Sequence, residues 1–251
     1  MREDFIKAQD RLIEGLTFLQ KKDALPKNLD IEEYTEKCLQ LMEIVLETNK
    51  YMNLTTIEKP LEFAETHFLD SLVVCILENV QNAKMAVDIG TGAGFPGLPL
   101  ALMYPEKQFL LVDSLRKRID FILETTKKLK IKNVEAIHSR METIGQNLTY
   151  REKYDVALCR AVGKLPVIME YSLPLVKVGG IFIAYKTVMA EDEIKDSFIA
   201  RKMLGGSSEV QTYEYSDLLP GKDHSLYVIS KAEKTPAKFP RKEGIPSRVS
   251  L

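Results

Sequence analysis

Residues 87–97 constrain this chain more than any other part of its sequence. The apolar run 85–89 carries one acid, Asp88, and is followed by glycines at positions 90, 92 and 94. A helical apolar pattern resumes at Leu98. This order predicts a strand, a tight turn and a helix, in which a nucleotide-like ligand lies on bare backbone at the carboxyl end of the strand. Glycine suits such a turn because side chains would block close approach and some positions require positive φ.

The spacing of these glycines indicates the class of ligand. A dinucleotide fingerprint reads G-x-G-x-x-G, whereas here the third glycine is Gly94 and position 95 is Phe. The pattern G-x-G-x-G, with Asp88 two residues ahead of it, resembles motif I of S-adenosylmethionine-dependent methyltransferases. On the glycines alone, a structural turn without a ligand is the alternative.

Strand-like and helix-like segments alternate after the first 82 residues, which predicts βαβ units and a parallel sheet covered on both faces. We expect strands at 85–89, 108–113, 134–138, 154–159 and 180–186, and helices near 97–104, 115–130, 164–176 and 190–203. Two further strands, 209–215 and 224–230, have only a short turn region between them. Five parallel strands and an antiparallel closing pair form the Rossmann-like fold of class I S-adenosylmethionine-dependent methyltransferases, so the predicted fold class is α/β.

The sequence divides into three regions. Apolar residues recur at helical spacing in 1–82, for example at Tyr34, Cys38, Leu41 and Val45, which predicts an N-terminal helical extension. Residues 83–235 form the expected methyltransferase domain. Residues 236–251 form a basic C-terminal tail, although an ordinary solvated terminus is the alternative for this segment.

Composition narrows the functional classes. The net charge of −1 gives no overall attraction to nucleic acid, but six basic residues against two acids lie between positions 231 and 251. Such a basic segment is a potential phosphate-binding surface. Three scattered cysteines predict a reducing compartment and no disulfide framework. We expect a cytoplasmic protein with no membrane span and no metal site, and nothing in the sequence demands more than a monomer.

Acidic and apolar residues at the ends of the second and third strands are candidates for cofactor binding. Asp113 ends the second strand, where a carboxylate accepts hydrogen bonds from ribose hydroxyls, although it equally suits a helix cap. Met141 and Glu142 follow the third strand, at the edge that faces adenine in the methyltransferase geometry. Ordinary core packing is the alternative for Met141.

The ends of the fourth and fifth strands carry cations. The fourth strand lacks the Asn/Asp-Pro-Pro-aromatic motif of exocyclic-amine methyltransferases, and Cys159 lacks the context of a pyrimidine-attacking nucleophile. Arg160 places a permanent charge at the carboxyl edge of the sheet, where it needs an anionic partner. That partner is the cofactor carboxylate, a phosphate, the acceptor base or a structural acid. Lys186 ends the fifth strand and is interpreted in the same way.

Several motifs together resemble the GidB/RsmG family of bacterial 16S ribosomal RNA guanine-N7 methyltransferases. The similarity runs from about position 48 to the end of the chain and includes the segments 49–55, 67–72, 87–97, 113–118, 139–142, 160–162 and 239–246. The resemblance implies methyl transfer from S-adenosyl-L-methionine to N7 of a guanine in small-subunit ribosomal RNA, either free or in a 30S particle.

Each expected role is assigned to named residues. We expect the catalytic positions to be Arg160 and Lys186. The expected cofactor contacts are Asp88, Gly90, Gly92, Gly94, Phe95, Asp113, Met141, Glu142 and Arg160. The expected contacts to substrate RNA are Lys50, Asn53, His67, Arg140, Arg241 and Lys242.

Other functions are compatible with parts of this sequence. A class I methyltransferase acting on another RNA or on a small molecule is the nearest alternative, and the basic tail favours RNA over a small molecule. An NAD-dependent oxidoreductase is disfavoured by the glycine spacing. A non-catalytic RNA-binding module is disfavoured by the intact glycine turn together with Asp113.

Overall fold

The computed structural model describes residues 2–160, 163–187, 191–221 and 224–251. Within these residues the chain forms a seven-stranded sheet in the order β3-β2-β1-β4-β5-β7-β6. The strands are β1 Met85–Ile89, β2 Gln108–Asp113, β3 Val134–His138, β4 Tyr154–Arg160, β5 Val176–Thr187, β6 Gln211–Glu214 and β7 His224–Ser230. The first five are parallel, β7 runs antiparallel to β5, and β6 pairs antiparallel with β7. The predicted fold class is confirmed.

The largest departure from the predicted strands is the early start of β5. The pairing of β4 with β5 shifts register between Tyr154 and Val156, close to two glycines of β5. Gly179 has a φ of +87°, and a Cβ on Gly180 would lie 2.6 Å from the carbonyl oxygen of Asp155. Only glycine fits so close to the neighbouring strand, so the irregular start of β5 depends on this pair.

The helices pack on both faces of the sheet, and several of them precede the first strand in the chain. They are α1 Arg2–Lys21, α2 Ile31–Met52, α3 Pro60–Phe63, α4 Asp70–Leu72, α5 Glu78–Asn82, α6 Gly97–Met103, α7 Arg116–Lys128, α8 Met141–Gln146, α9 Leu165–Ser172, α10 Glu191–Asp196, α11 Phe198–Leu204 and α12 Ile245–Arg248. The helix predicted at 190–203 is divided at Ser197, and its predicted first residue lies outside the described part of the chain. The short α8 and α12 were not predicted. No described helix is long and apolar enough to cross a membrane.

The N-terminal helices share a hydrophobic core with the sheet. One cluster of buried side chains extends from Leu12 and Leu41 in α1 and α2 to Leu98 and Leu111 in α6 and β2. The Tyr34 hydroxyl donates to the carbonyl of Pro99 at 2.9 Å, which ties α2 to α6. The extension proposed for residues 1–82 therefore does not have a core of its own.

Residues 60–76 form one helical segment of changing pitch. After α3 the chain makes a π-helical stretch, Ala64–Leu69, then α4, and then a 3-10 turn, Val73–Ile76. π-helical turns are rare and are found frequently at functional sites because they re-aim side chains. Here the irregular stretch carries His67 and leads directly into Asp70, two residues of the site described below.

Candidate active site

The glycine turn after β1 is held together by Asp88. One carboxylate oxygen of this buried side chain, Oδ2, accepts from the Thr91 hydroxyl at 2.6 Å and from the Gly97 backbone N–H at 2.9 Å. The glycines have φ values of 67° at Gly90, 61° at Gly92 and 97° at Gly94. A Cβ on Gly92 would meet no atom within 4 Å. The turn is therefore rigid on its inner side and open at Gly92.

Burial raises the pKa of Asp88 to about 6, although the hydrogen bonds from Thr91 and Gly97 lower it. The second oxygen, Oδ1, is buried and has no hydrogen-bond partner among the described residues. A carboxylate in this state is under-compensated, because its charge has left water and only one of its oxygens is satisfied. The carboxyl end of β1 thus has spare capacity to attract a cation.

Asp113 connects the ends of β1 and β2. Its Oδ2 accepts from the Gly92 N–H at 3.0 Å and from Arg118 Nη1 at 3.2 Å, and its Oδ1 accepts from the Leu115 N–H at 2.9 Å. The bond to Leu115 lies ahead of α7, whose N-cap is Leu115 and has no side-chain cap, so Asp113 is not the helix cap. A carboxylate has about four lone-pair sites, so Asp113 can still accept a hydrogen bond from a ribose hydroxyl. In this arrangement Asp113 shapes the turn and still borders the open space beside it.

A cleft of about 470 Å³ lies at the carboxyl ends of β1, β2 and β3. It brings together five of the predicted site residues: Gly90, Asp113, Arg140, Met141 and Glu142. The other predicted cofactor contacts are absent from its lining, namely Asp88, Gly92, Gly94, Phe95 and Arg160. The lining also contains residues that the sequence did not single out as site residues, namely Ser114, Arg118, Tyr171, Glu243, Gly244 and Ser247. Four of these residues lie in two of the motifs, 113–118 and 239–246. Those motifs were the only sequence signal that could have identified them as part of the cleft.

A second group of polar side chains surrounds Arg160 at the end of β4. Arg160 Nη1 donates to the carbonyl of Thr66 at 2.6 Å and to Oδ2 of Asp70 at 3.1 Å, and Nη2 contacts Nδ1 of His67 at 3.0 Å. The anionic partner of Arg160 is therefore the buried Asp70, which sequence reasoning left open. Ala161 and Val162, which complete its motif, lie outside the described residues.

The contacts of His67 determine its tautomer. A guanidinium group only donates, so Nδ1 of His67 accepts from Arg160 and the ring proton resides on Nε2. Nε2 lies 2.7 Å from the hydroxyl oxygen of Thr55 and can therefore donate its proton to that oxygen in a hydrogen bond. Thr55 is itself positioned by Asn49, whose side-chain oxygen accepts from the backbone N–H groups of Leu54 and Thr55. The motif 49–55 thus serves to orient His67.

Asp70 is the centre of the Arg160 group. Besides Arg160, the Tyr215 hydroxyl donates to its Oδ1 at 2.8 Å, and Nδ1 of His224 lies 3.1 Å from the same oxygen. Burial alone would raise the pKa of Asp70. The hydrogen bond from His224, the charge of Arg160 and the hydrogen bond from Tyr215 outweigh burial and lower the pKa below its usual range. Hereafter the Arg160 cluster denotes Thr55, His67, Asp70, Arg160, Tyr215 and His224.

Phe95 links the glycine turn to the Arg160 cluster. Its ring stacks on His67 with a centroid separation of 4.7 Å, and the guanidinium carbon of Arg160 lies 5.7 Å from the ring centroid. Phe63 and Phe68 each pack edge-on against Phe95 with a ring-centroid separation of 5.7 Å. The predicted cofactor contact Phe95 is therefore a buried wall between the glycine turn and the Arg160 cluster.

Several predicted residues have structural partners or lie on the surface. Lys186 Nζ bonds to the carbonyl of Gly163 at 2.9 Å and to Glu193 at 2.7 Å, which ties the end of β5 to α10. Lys50 forms an exposed ion pair with Glu47 at 2.7 Å. Asn53 is exposed and ends α2 in the left-handed conformation. The structure provides Lys186 with a structural role, and the catalytic role stays a prediction.

The basic segment 231–251 is less exposed than its composition indicates. Lys231 is buried and bonds to Leu173 and Thr235, and Arg241 forms an ion pair with the fully buried Glu170 at 2.6 Å. Lys242 remains exposed. The guanidinium of Arg241 is engaged by Glu170, and the RNA contact expected at Arg241 stays a prediction. The tail is therefore neither a freely solvated terminus nor a uniform phosphate-binding surface.

Comparison with families of known proteins matches residues 34–215 to GidB, described as rRNA small subunit methyltransferase G. The chain belongs to this family. It is 41% identical over 253 residues to the ribosomal RNA small subunit methyltransferase G of Acetivibrio thermocellus, with 100% of both chains covered. Identity to the relative of the same name from Alkaliphilus metalliredigens is 42% over 220 residues, or 86% of this chain and 90% of the relative. Family membership identifies the chain as an S-adenosylmethionine-dependent methyltransferase of small-subunit ribosomal RNA.

A solved structure shows the same fold. The apo form of the S-adenosylmethionine-dependent methyltransferase SibL superimposes with a TM-score of 0.55 at 14% identity, covering 69% of this chain and 57% of SibL. At this identity the likeness concerns the fold and not the acceptor.

Proposed function

We propose that this protein transfers a methyl group from S-adenosylmethionine to N7 of a guanine in 16S ribosomal RNA. The observation that carries the proposal is the adjacency of two different sites at one edge of the sheet. The open cleft beside the glycine turn suits a nucleoside, and the Arg160 cluster offers a rigid polar surface for an acceptor. Phe95 contacts both the turn and the cluster, so donor and acceptor would meet at its ring.

The residues around the glycine turn fit the methyl donor. Gly92 leaves open space where a Cβ would stand, and Asp113 borders the cleft with a carboxylate suited to vicinal hydroxyls. Oδ1 of Asp88 is buried and has no hydrogen-bond partner among the described residues, and a carboxylate behind the turn favours the positive charge of a sulfonium compound. The bound donor supplies an electrophilic methyl group on sulfur. Met141 and Glu142 line the same cleft and are placed to contact its base.

The Arg160 cluster fits an acceptor that needs no base catalyst. Guanine N7 carries a lone pair and no proton, so it can attack the methyl carbon without prior deprotonation. Correct orientation can then supply about 7–11 kcal/mol of barrier reduction. Arg160 is held by Asp70 and His67. Because a guanidinium has five N–H donors, Arg160 can also donate a hydrogen bond to a base without first losing freedom of its own.

Binding of the RNA is assigned to exposed cations near the cleft. Arg140 lines the cleft and is exposed, and Lys242 is exposed on the neighbouring tail. Lys50 and Asn53 lie at the loop that leads to Thr55. Neutralisation of phosphates by such residues gives an affinity that falls with salt. A protein with this substrate acts in the cytoplasm, and a monomer is sufficient because all proposed site residues come from one chain.

The proposal is tested by transfer of a tritiated methyl group. The substrate is small-subunit RNA from a strain that lacks this modification, offered both as free RNA and as 30S particles, and the modified base is mapped afterwards. Incorporation at a single guanine N7 is expected. Label at another RNA position would support an alternative acceptor within the same enzyme class. Absence of label with both substrates, from protein that binds S-adenosylhomocysteine, would contradict the proposed acceptor.

A further inference from the structure

The C-terminal tail forms one side of the cofactor cleft. Glu243, Gly244 and Ser247 line it beside residues of α8, although they are more than 100 positions away from the first strand. Gly244 has a φ of +75° and begins the short helix α12, so the chain turns sharply where it borders the cleft. A segment in this position decides how enclosed the cleft is.

The tail bonds to the same side chain that is expected to contact the cofactor. Oε1 of Glu142 accepts from the Gly244 N–H at 2.9 Å, and the Thr143 hydroxyl donates to Glu243 at 2.7 Å. Glu142 is buried and lines the cleft. Because one carboxylate faces the cleft and binds the tail, movement of the tail would change the position of Glu142.

Arg241 anchors the tail at its base. Its Nε and Nη2 bond to the two oxygens of Glu170 at 2.9 and 2.6 Å, and its backbone N–H donates to Glu170 at 2.8 Å. Nη2 also donates to the carbonyl of Val249 at 2.7 Å, so the two ends of α12 are tied together. Glu170 is fully buried in α9, and the next residue, Tyr171, lines the cleft. A paired guanidinium fork of this kind fixes direction as well as distance.

We propose that the tail is a clamp on the methyl-donor cleft and that Arg241 is its positioning residue. Docking of the tail through Arg241 and Glu170 holds Gly244 against Glu142, and the closed wall raises affinity for the nucleoside part of the donor. Coupling of this kind is reciprocal, so a bound donor stabilises the docked tail to the same extent. The inference rests on the proposed function, because it requires that this cleft binds the methyl donor.

Calorimetry with S-adenosylhomocysteine provides the first test. Arg241→Ala is expected to weaken binding about tenfold, a typical coupling between linked sites. The matched control is Lys234→Ala, which removes an exposed cation just before the tail and should leave the affinity within about twofold. Equal affinity of folded Arg241→Ala and wild type would overturn the clamp. Failure of wild type itself to bind would instead reject the proposed cofactor site.

Steady-state kinetics separate positioning from general stability. A clamp on the donor predicts that Arg241→Ala raises the KM for S-adenosylmethionine about tenfold and changes kcat at saturating donor by less than about twofold. A lowered Tm with an unchanged KM would show that Arg241 serves stability alone and would overturn the proposal.

Hydrogen exchange of the wild type gives a result even if Arg241→Ala does not fold. S-adenosylhomocysteine should slow exchange of the Gly244 N–H, which bonds to Glu142, together with that of Gly94 in the glycine turn. Slower exchange at Gly94 with unchanged exchange at Gly244 would contradict the clamp. Unchanged exchange at both amides would contradict donor binding at this turn.

Discussion

Two buried aspartates at the same edge of the sheet have opposite electrostatic states. Asp88, in the glycine turn, has a pKa raised to about 6 by burial, and one of its oxygens has no hydrogen-bond partner in the part of the chain that the structure describes. Asp70, in the Arg160 cluster, has a lowered pKa because His224, Arg160 and Tyr215 together outweigh burial. Burial is similar at the two positions, so the difference comes from their partners.

This difference separates a region prepared for a ligand from a region that is already internally satisfied. The turn region presents backbone, open space at Gly92 and a carboxylate with spare capacity. The Arg160 cluster presents side chains whose donors and acceptors are matched to one another. We infer that the buried charge of Asp88 is compensated when the cationic methyl donor binds at the glycine turn. The Arg160 cluster, in contrast, is already ordered before the RNA substrate arrives.

The largest expected effect is that of Gly92→Asp. The new carboxylate would project into open space beside Asp113, where the ligand is expected to bind, and would weaken S-adenosylmethionine binding at least about a hundredfold, or about 3 kcal/mol. Aspartate tolerates the left-handed conformation of position 92, so the protein should remain folded. Calorimetry and circular dichroism measure both quantities. Unchanged affinity would remove the glycine turn from the cofactor site.

Arg160→Ala tests the other region. We expect methyl transfer to fall about a hundredfold, since misplacement of reacting groups has an effect of this size. The structure also predicts a loss of stability, because Asp70 would be left as a buried charge without its cation. A structural acid was one of the partners that the sequence left open for Arg160, and Asp70 is that acid.

The double variant Arg160→Ala with Asp70→Asn separates these two effects. Removing the charge of Asp70 should recover part of the lost free energy of unfolding without recovering methyl transfer. Denaturant unfolding and single-turnover transfer assays provide the comparison. Recovery of activity along with stability would show that Arg160 acts only by holding the fold.

The pH dependence of stability should differ in sign between the two aspartates. Asp88 has a raised pKa, so the stability it contributes is complete below about pH 4 and is lost as pH rises through about 6. Relative to wild type, Asp88→Asn should therefore gain up to about 3 kcal/mol in unfolding free energy between pH 4 and pH 7. Asp70 has a lowered pKa, so the stability that it contributes is present above about pH 4 and is lost as pH falls further. The deficit in unfolding free energy of Asp70→Asn relative to wild type should therefore shrink below about pH 4. Parallel pH profiles of the two variants would refute the contrast.

The smallest expected effect concerns the exposed tail cation Lys242. Lys242→Ala should weaken RNA binding by a factor of about two to three and reduce the slope of log affinity against log salt by about one. Lys7→Ala, in α1, removes an exposed lysine paired with Glu3 and is the matched control. Filter binding at several salt concentrations provides the measurement. The same slope for both variants would place Lys242 outside the RNA interface.

The fold could be predicted because its signals are local. Alternation of strand and helix patterns, the glycine spacing and Asp113 at a strand end each depend on neighbouring positions, and the observed strands begin and end close to the predicted residues. The helix α8 was missed because it has six residues and too few apolar positions to show a period. The division at Ser197 was missed for a related reason, since the apolar pattern continues through it.

The sequence by itself determined the sheet, the methyl-donor motif and the residues available at the carboxyl edge. Only the tertiary structure decided which of these residues are committed to one another. Arg160 pairs with Asp70 and Arg241 with Glu170 over separations of 90 and 71 positions. Partners so distant in sequence are brought together only when the chain folds. The glycine turn could therefore be predicted from the sequence, because its function depends on the backbone and on empty space. The roles of the cations could not be predicted in this way.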